Sequence, residues 1–287
     1  MKETHRRRDR RDPHPRRMRL TERDKQIILA VYEYRVLTLD QLHKLIFRNI
    51  TDTRWVQRSL ARLYHHKFLA RVFLPVLAGS SPTMYVLDKK GAELLRSDFG
   101  LEDLNWYPSS KTLKTTFLDH TTAINDFRIS ITSACDAPGY QLQEWVTENS
   151  VKAHIDHVTV RGKSGKTREI PIVPDSYFIV DTPRGRAHFF LELDRGTMTT
   201  KSFRSKIEGF LEYYASGAYE RHYQTQSLTI LTVTTTQKRL NNLKRVTEAA
   251  GGTDWFLFGV LDELTSDVVL TSPLWKPATQ DKLVALI

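Results

Sequence analysis

The sequence has a single cysteine, Cys135, among its 287 residues. One cysteine excludes an intrachain disulfide and a cysteine-based zinc finger, and it fits a reducing compartment. Long apolar runs are also missing: the longest, residues 255–261, is far shorter than the ~18 residues that a membrane-spanning helix needs. The arginine-rich N-terminus is not followed by an apolar segment, so it lacks the pattern of a secretory signal. We therefore expect a soluble cytoplasmic protein with no membrane partner.

Acidic residues are scarce in the first third of the chain, and the chain as a whole has a net charge of +10. Residues 1–19 contain nine basic and three acidic residues, and residues 20–90 contain twelve and six. The remainder carries 22 basic and 24 acidic residues, so the whole positive excess lies before residue 91. This asymmetry predicts a polyanionic partner for the first third, most often nucleic acid. The alternative is a basic solubility tail in front of a neutral enzyme.

Composition and periodicity divide the chain into five segments. Residues 1–19 contain no aliphatic or aromatic residue apart from methionine, so we expect a disordered basic tail there. Residues 20–97 have the patterns of a first domain, residues 98–115 are interpreted as a linker, and residues 116–262 as a second domain. Residues 263–287 are interpreted as a C-terminal tail.

The first domain contains three helical patterns followed by a hairpin. Thr21, Thr38 and either Thr51 or Asp52 can each cap a helix, and the apolar residues after each cap recur at helical spacing. Two strand-like segments separated by a Gly-Ser-Ser-Pro turn come next. This order predicts an N-terminal winged helix-turn-helix. Trp55, at the start of the third helix, is interpreted as a packing residue.

The second domain begins with an amphipathic helix at about residues 116–134. Strand-like segments follow it, among them one interpreted as continuous over residues 168–180, and then helices and strands alternate. This order predicts a mixed sheet that is covered by helices on both faces. The predicted fold class is therefore α+β or α/β.

Basic residues form a stripe on the third helix of the first domain. Arg54, Arg58 and Arg62 recur at i, i+4 and i+8, opposite the apolar face and with Gln57 beside them. In a helix-turn-helix the second helix of the motif lies in the major groove, where Arg and Gln can make bidentate contacts to bases. Arg71, on the wing, is expected to contact an adjacent phosphate. These five residues are the candidate contacts to double-stranded DNA; the alternative is a solvated arginine face.

Carboxylates interrupt two otherwise apolar segments of the second domain. Asp175 follows Pro174, and Glu192 and Asp194 point to one face of a later strand. Burying carboxylates is costly, and a divalent cation would offset that cost. Mg²⁺ prefers oxygen ligands, so Asp175 and Glu192, with the carbonyl of Leu193, are a candidate metal site. The ion would activate water and stabilise charge on a scissile phosphate.

Lys201 and Lys206, on the helix that follows these strands, are candidates for neutralising the phosphate or orienting water. Lys206 completes the candidate catalytic set together with Asp175, Glu192 and Asp194. The alternative is a structural network of salt bridges, in which Glu192 and Asp194 pair with one or more of Arg195, Arg204 and Lys206.

The order of these motifs resembles a known family. A Pro-Asp pair and a Glu-X-X triplet on neighbouring strands between two helices are similar to the PD-(D/E)XK nuclease superfamily. The chain over residues 20–260 resembles the replication-relaxation family of bacterial plasmids and integrative elements. The strongest matches are residues 174–178 and residues 189–196, followed by Lys206 and Tyr213. The resemblance implies a winged-helix DNA-binding domain joined to a restriction-endonuclease-like domain.

One position departs from the superfamily pattern. A PD-(D/E)XK nuclease normally has lysine two positions after the acidic residue, and this chain has Asp194 there. Three alternatives stay open: Lys206 supplies the ammonium from the helix, Arg195 substitutes poorly for it, or the site is inactive.

The resemblance implies a DNA-binding protein of a mobile element that acts at a plasmid replication or transfer origin and nicks DNA with Mg²⁺. The alternative is a transcriptional regulator, or an adaptor that recruits a relaxase or replication proteins, whose nuclease-like domain is catalytically inactive. Double-stranded DNA is the expected partner in either case, and a homodimer is a further expectation.

Overall fold

A computed structural model describes residues 8–48, 50–74, 81–102, 104, 106, 115–162 and 165–287. The chain divides into two units, Met1–Asn125 and Asp126–Ile287. Among the described residues, no helix has both the length and the apolar character needed to cross a bilayer. Most of the linker expected from the sequence, including residues 107–114, lies outside the described residues.

The described helices and strands of unit 1 are, in chain order, α1 Glu22–Glu33, β1 Leu37–Thr38, α2 Leu39–Ile46, α3 Thr53–His65, β2 Leu69–Phe73, β3 Thr83–Leu87, α4 Lys89–Phe99 and the first half of α5 Thr115–Ala134. The predicted caps are confirmed. Thr21 forms a capping box with Asp24, Thr38 forms one with Gln41, and Asp52 caps α3. Each such cap stabilises its helix by about 1 kcal/mol.

The strands of unit 1 form an antiparallel sheet in the order β1-β3-β2. α3 contributes Val56, Leu60 and Leu63 to the core, and all three are fully buried. α4 approaches the start of β2 at Gly91, where a Cβ atom would lie 2.4 Å from the carbonyl oxygen of Phe68. Since that oxygen belongs to the backbone, only glycine permits this approach.

The boundary between the two units falls within α5. Asn125 is buried, and its Nδ2 donates to the carbonyl oxygens of Tyr34 (3.0 Å) and Val36 (2.6 Å). Gln41 Nε2 donates to the carbonyl oxygen of Thr122 (2.9 Å). These bonds attach the first half of α5 to unit 1, whereas the sequence pattern places the whole helix in the second domain.

Residues 8–19 of the expected disordered tail make specific hydrogen bonds to the rest of unit 1, and residues 1–7 of that tail lie outside the described residues. Arg11 donates to the carbonyl oxygen of Leu69 (3.2 Å), and the backbone N–H of Asp12 donates to His65 Nδ1 (3.0 Å). The expectation rested on the lack of apolar residues. Guanidinium and backbone groups supply polar contacts in their place.

The described elements of unit 2 are, in chain order, the second half of α5, β4 Gln141–Thr147, α6 Glu148–Val151, β5 Asp156–Arg161, β6 Thr167–Ile172, β7 Ser176–Thr182, β8 Gly185–Asp194, α7 Thr200–Ala215, α8 Ala218–Tyr223, β9 Thr229–Thr234, α9 Gln237–Ala249, β10 Phe256–Val260 and β11 Lys276–Pro277. Six strands form one sheet in the order β11-β10-β9-β8-β7-β4, and β5 and β6 form a separate hairpin. The β4, β7 and β8 strands are antiparallel, and β8, β9 and β10 are parallel. The predicted mixed sheet is therefore confirmed.

The segment 168–180, interpreted as one strand, is two strands in different sheets. β6 pairs with β5 and ends at Ile172, whereas β7 begins at Ser176 and joins the main sheet. Pro174 lies in the break, where its missing N–H costs no ladder hydrogen bond. The break places Asp175 at the entrance of β7.

Helices and the hairpin cover one face of the sheet of unit 2. Phe203, Ile207 and Phe210 of α7 pack with Phe190 of β8 in the main apolar cluster, and each fully buried side chain of this size contributes about 1.5–3 kcal/mol. The β5–β6 hairpin closes over α7 at Gly209, where a Cβ atom would lie 2.8 Å from Ile170 Cγ2. This face carries the candidate carboxylates.

The opposite face of the sheet is covered by α5 and by the C-terminal segment. The ring of Phe127 lies 6.0 Å from that of Phe178 and 6.2 Å from that of Trp275, edge to face in both pairs. Trp275 is fully buried, and β11 beside it pairs with β10. Residues 263–287, interpreted from the sequence as a tail, thus supply a strand and core residues to unit 2.

Candidate functional site

Two neighbouring strands position the candidate carboxylates of unit 2. Asp175 immediately precedes β7, and Glu192 lies near the end of β8. The backbone N–H of Asp175 donates to the carbonyl oxygen of Leu191 (2.9 Å), and Asp175 Oδ2 accepts from the backbone N–H of Leu193 (2.7 Å). Because these two bonds reach the residues on either side of Glu192, they fix Asp175 beside it.

Lys206 of α7 joins this pair. Its Nζ forms an ion pair with Glu192 Oε2, and the side chains of Glu192 and Lys206 are 3% and 25% exposed. Burial has the largest single effect on the pKa of Lys206 and lowers it, but Glu192, Asp175 and Glu148 together outweigh burial and raise the pKa above its usual value. Lys206 therefore keeps its positive charge at neutral pH.

The chemistry of the donor set fits Mg²⁺, which binds to proteins through one or two carboxylates and completes its shell with waters and phosphate oxygens. Within the described residues, no group of three or more His, Cys, Asp or Glu could enclose a metal ion. Thr232 on β9 pairs in register with Glu192, and its buried hydroxyl has no hydrogen-bond partner in the described part of the chain. An orphaned buried hydroxyl on the strand position paired with Glu192 fits an open site that an ion, a water or a ligand completes.

Asp194 has a different environment from Glu192, although both lie on one face of β8. Asp194 accepts two hydrogen bonds from the guanidinium of Arg239 on α9, at 2.6 and 3.0 Å, and one from the backbone N–H of Gly196 (3.0 Å). The pKa of Arg239 is raised, chiefly by its hydrogen bond to Asp194. The structure therefore brings Asp175, Glu192 and Lys206 together and gives Asp194 a partner of its own.

Sequence reasoning missed Glu148 and Arg239. Glu148 follows β4, whose last residue, Thr147, pairs with Ser176 beside Asp175. Arg239 lies 45 residues after Asp194. Neither residue belongs to a local motif, since only the pairing of β4 with β7 and the position of α9 bring them near the carboxylates. Tyr213 is buried and its hydroxyl donates to Asp156, which makes it a packing residue.

Three of the five candidate DNA contacts form an exposed face on α3. Arg54, Gln57 and Arg58 are exposed, and Arg54 Nε donates to both carboxylate oxygens of the capping Asp52 (3.0 Å each). Trp55 is 56% exposed and lies 5.8 Å from the guanidinium of Arg58. The interpretation of Trp55 as a packing residue is therefore wrong: it lies on the flank of α3, beside the basic face.

The other two candidates have partners within unit 1. Arg62 donates to both oxygens of Asp24 (3.1 and 3.0 Å), whose side chain is 1% exposed. The guanidinium of Arg71 lies 4.3 Å from the ring of Tyr64 and 5.7 Å from that of Tyr85. Arg62 therefore has a structural partner although its side chain is 47% exposed, and Arg71 packs against two rings of unit 1.

Residues 29–229 match the family model described as Replication-relaxation. Among solved structures, the chain is similar to the restriction endonuclease FokI, with 10% identity and a TM-score of 0.28. The match covers 84% of this chain and 43% of that chain, so the chain spans less than half the length of this relative. A likeness of this size carries no argument about fold or activity. No curated protein matches the chain at a significant level.

Proposed function

This chain belongs to the Replication-relaxation family, and on that premise we propose that it acts on DNA at a plasmid replication or transfer origin. Unit 2 would nick DNA in a reaction that depends on Mg²⁺, and unit 1 would bind the duplex. The observation that carries the catalytic part is the ion pair between Lys206 and Glu192, with Asp175 fixed beside it.

In this proposal Asp175 and Glu192 would hold the ion, with the carbonyl of Leu193. A bound Mg²⁺ supplies Lewis acidity toward the phosphate and lowers the pKa of its water. The ammonium of Lys206 donates hydrogen bonds to a phosphate oxygen as negative charge develops there. Fixed charges of this kind stabilise the transition state because they need no reorganisation during the reaction. Lys206 thus takes the role of the family lysine from a helix.

The experiment that tests this proposal is the conversion of supercoiled plasmid carrying the native origin to open circles, with Mg²⁺ and with chelator. We expect conversion only with Mg²⁺, and a loss of about 10²–10⁴-fold in the Asp175→Asn and Glu192→Gln variants. Asp181→Asn is the matched control, because Asp181 lies on the same strand and forms a partly exposed pair with Arg186. Nicking that survives both site substitutions would rule out this site.

The winged-helix interpretation of unit 1 is supported by the order of its helices and by its hairpin. It makes α3 the helix that enters the major groove. Replacing either Arg54 or Arg58 by alanine should weaken duplex binding by about 1–3 kcal/mol. If both residues contact phosphates, replacing both should lower the slope of log K against log salt by about 1.8. Arg96→Ala, on the exposed side of α4, is the control. Unchanged affinity in both α3 variants would refute the interpretation.

A second candidate function is a transcriptional regulator or relaxosome adaptor with an inactive site, which binds a relaxase or replication proteins and assembles as a homodimer. Asp194 favours it, because that residue occupies the position of the family lysine and is bound by Arg239. Tight duplex binding without any nicking in the plasmid experiment would select this function.

A further inference from the structure

Residues 8–19 carry six arginines and two aspartates, and one arginine anchors them. Arg11 forms an ion pair with Asp88 (2.5 Å) and donates to the carbonyl oxygens of Tyr64 and Leu69. Its guanidinium also lies 4.5 Å from the ring of Tyr64. Arg11 therefore ties the segment to the end of α3, the start of β2 and the cap of α4 at once.

Further contacts fix the segment on both sides of Arg11. Arg71 Nη1 donates to the carbonyl oxygen of Arg8 (3.2 Å), and His66 Nε2 lies 2.9 Å from the carbonyl oxygen of Arg16. Asp12 is held by its backbone bond to His65. The segment therefore follows β2, the edge strand of the sheet, from the hairpin to the end of α3.

The segment contacts the C-terminal end of α3. His65 lies seven residues after Arg58, two helical turns away and on the same side of the helix. The bond from Asp12 to His65 thus places the segment at the C-terminal end of the surface that Arg54 and Arg58 form. The remaining arginines are exposed to solvent, and these are Arg10, Arg16, Arg17 and Arg19.

We propose that residues 8–19 form an ordered arm that extends the DNA-contacting surface of unit 1 beyond α3. Arg11 is the positioning residue, and Arg10, Arg16, Arg17 and Arg19 contact the phosphates of duplex DNA that flanks the site read by α3. An arm that is fixed before binding loses less conformational freedom on association. The inference rests on the proposed binding of duplex DNA by unit 1.

The decisive variant is Asp88→Asn. If Asp88 positions the arm through Arg11, the substitution should weaken duplex binding, whereas the gain in net positive charge alone should strengthen it. Asparagine caps a helix as well as aspartate does, so the side-chain oxygen at position 88 can still accept the hydrogen bond that the backbone N–H of Lys89 donates. The substitution removes the anion that holds Arg11 and makes the protein more positive. We expect duplex binding to weaken by about fivefold, the scale of one ordinary hydrogen bond. Glu93→Gln, on the same helix, adds the same charge and should not weaken binding.

A second measurement locates the arm on the DNA. In the double variant Arg16→Ala and Arg17→Ala, the slope of log K against log salt should fall by about 1.8, at ~0.9 per phosphate. The hydroxyl-radical footprint should shorten at one end and keep its centre. An arm that only covers the edge of β2 would leave slope and footprint unchanged while Arg54→Ala still weakens binding, and that result would overturn the inference. Absence of duplex binding by the unaltered chain would contradict the proposed function itself.

Discussion

Replacing Lys206 by methionine should lower metal-dependent nicking by about 10²–10⁴-fold, because the substitution removes the ammonium beside the scissile phosphate. Methionine keeps much of the length and apolar stem of lysine, so α7 retains its packing. The loss should appear in the rate at saturating DNA, since Lys206 lies at the carboxylate pair and not on the exposed face of α3. Rates of open-circle formation measure the effect.

The same variant has a readout that does not depend on activity. Glu192 is 3% exposed, and Lys206→Met removes its ion pair. Without metal, the variant should be less stable than the parent, by about 3–5 kcal/mol if the environment does not relax. Mg²⁺ should then raise the Tm of the variant more than that of the parent, because the cation no longer competes with an ammonium for the carboxylates.

Lys282→Met is the matched control, since Lys282 is an exposed lysine of the C-terminal segment. It should change neither the nicking rate nor the response of Tm to Mg²⁺. Equal Mg²⁺ shifts in the Lys206→Met variant and in the parent, together with retained nicking, would contradict the assignment of Lys206 to the site. If the Lys206→Met variant loses nicking but its Tm responds to Mg²⁺ as that of the parent does, Lys206 has a catalytic role but does not compete with the metal for the carboxylates.

The sequence predicts local features of this protein well and long-range contacts poorly. The caps at Thr21 and Thr38 and the mixed sheet of unit 2 follow from patterns that span few residues. The position of Asp194 does not, because strand alternation places it with Glu192 and only the location of α9 brings Arg239 to it. Two carboxylates on one face of a strand can thus have different roles, which depend on elements that follow much later in the chain.

The arginines of unit 1 illustrate the same limit. Arg54, Arg58 and Arg62 are equivalent in a helical pattern, yet Arg62 reaches Asp24, which lies 38 residues earlier in the chain and is buried. The tail was expected to be disordered because it lacks apolar residues, but Arg11 finds carbonyl oxygens and a carboxylate that converge from three elements. The composition of a segment indicates how much apolar surface it can bury. It does not indicate whether the polar groups of the segment will find hydrogen-bond partners elsewhere in the fold.

Replacing Arg239 by alanine should destabilise unit 2 by about 3–5 kcal/mol, because it leaves a buried carboxylate without its bidentate partner. The side chain of Asp194 is 3% exposed and that of Arg239 18%. Arg239 also donates to the carbonyl oxygen of Met198 (2.7 Å), so it fixes the turn between β8 and α7 as well. Denaturant unfolding measures the change. Arg239→Lys should fall between alanine and the parent, since lysine keeps the charge but not the two-pronged geometry.

The same pair separates a structural from a catalytic role for Asp194. If Asp194 stabilises the fold through Arg239, the double variant Asp194→Asn and Arg239→Ala should lose less stability than the sum of the two single variants. Folded Asp194→Asn protein should then nick DNA at close to the parent rate at a temperature well below its Tm. Arg245→Ala, at an exposed position of α9, controls for the loss of a surface arginine and should stay within about 0.5 kcal/mol of the parent. Additive losses, with nicking abolished in folded Asp194→Asn protein, would instead return Asp194 to the catalytic set.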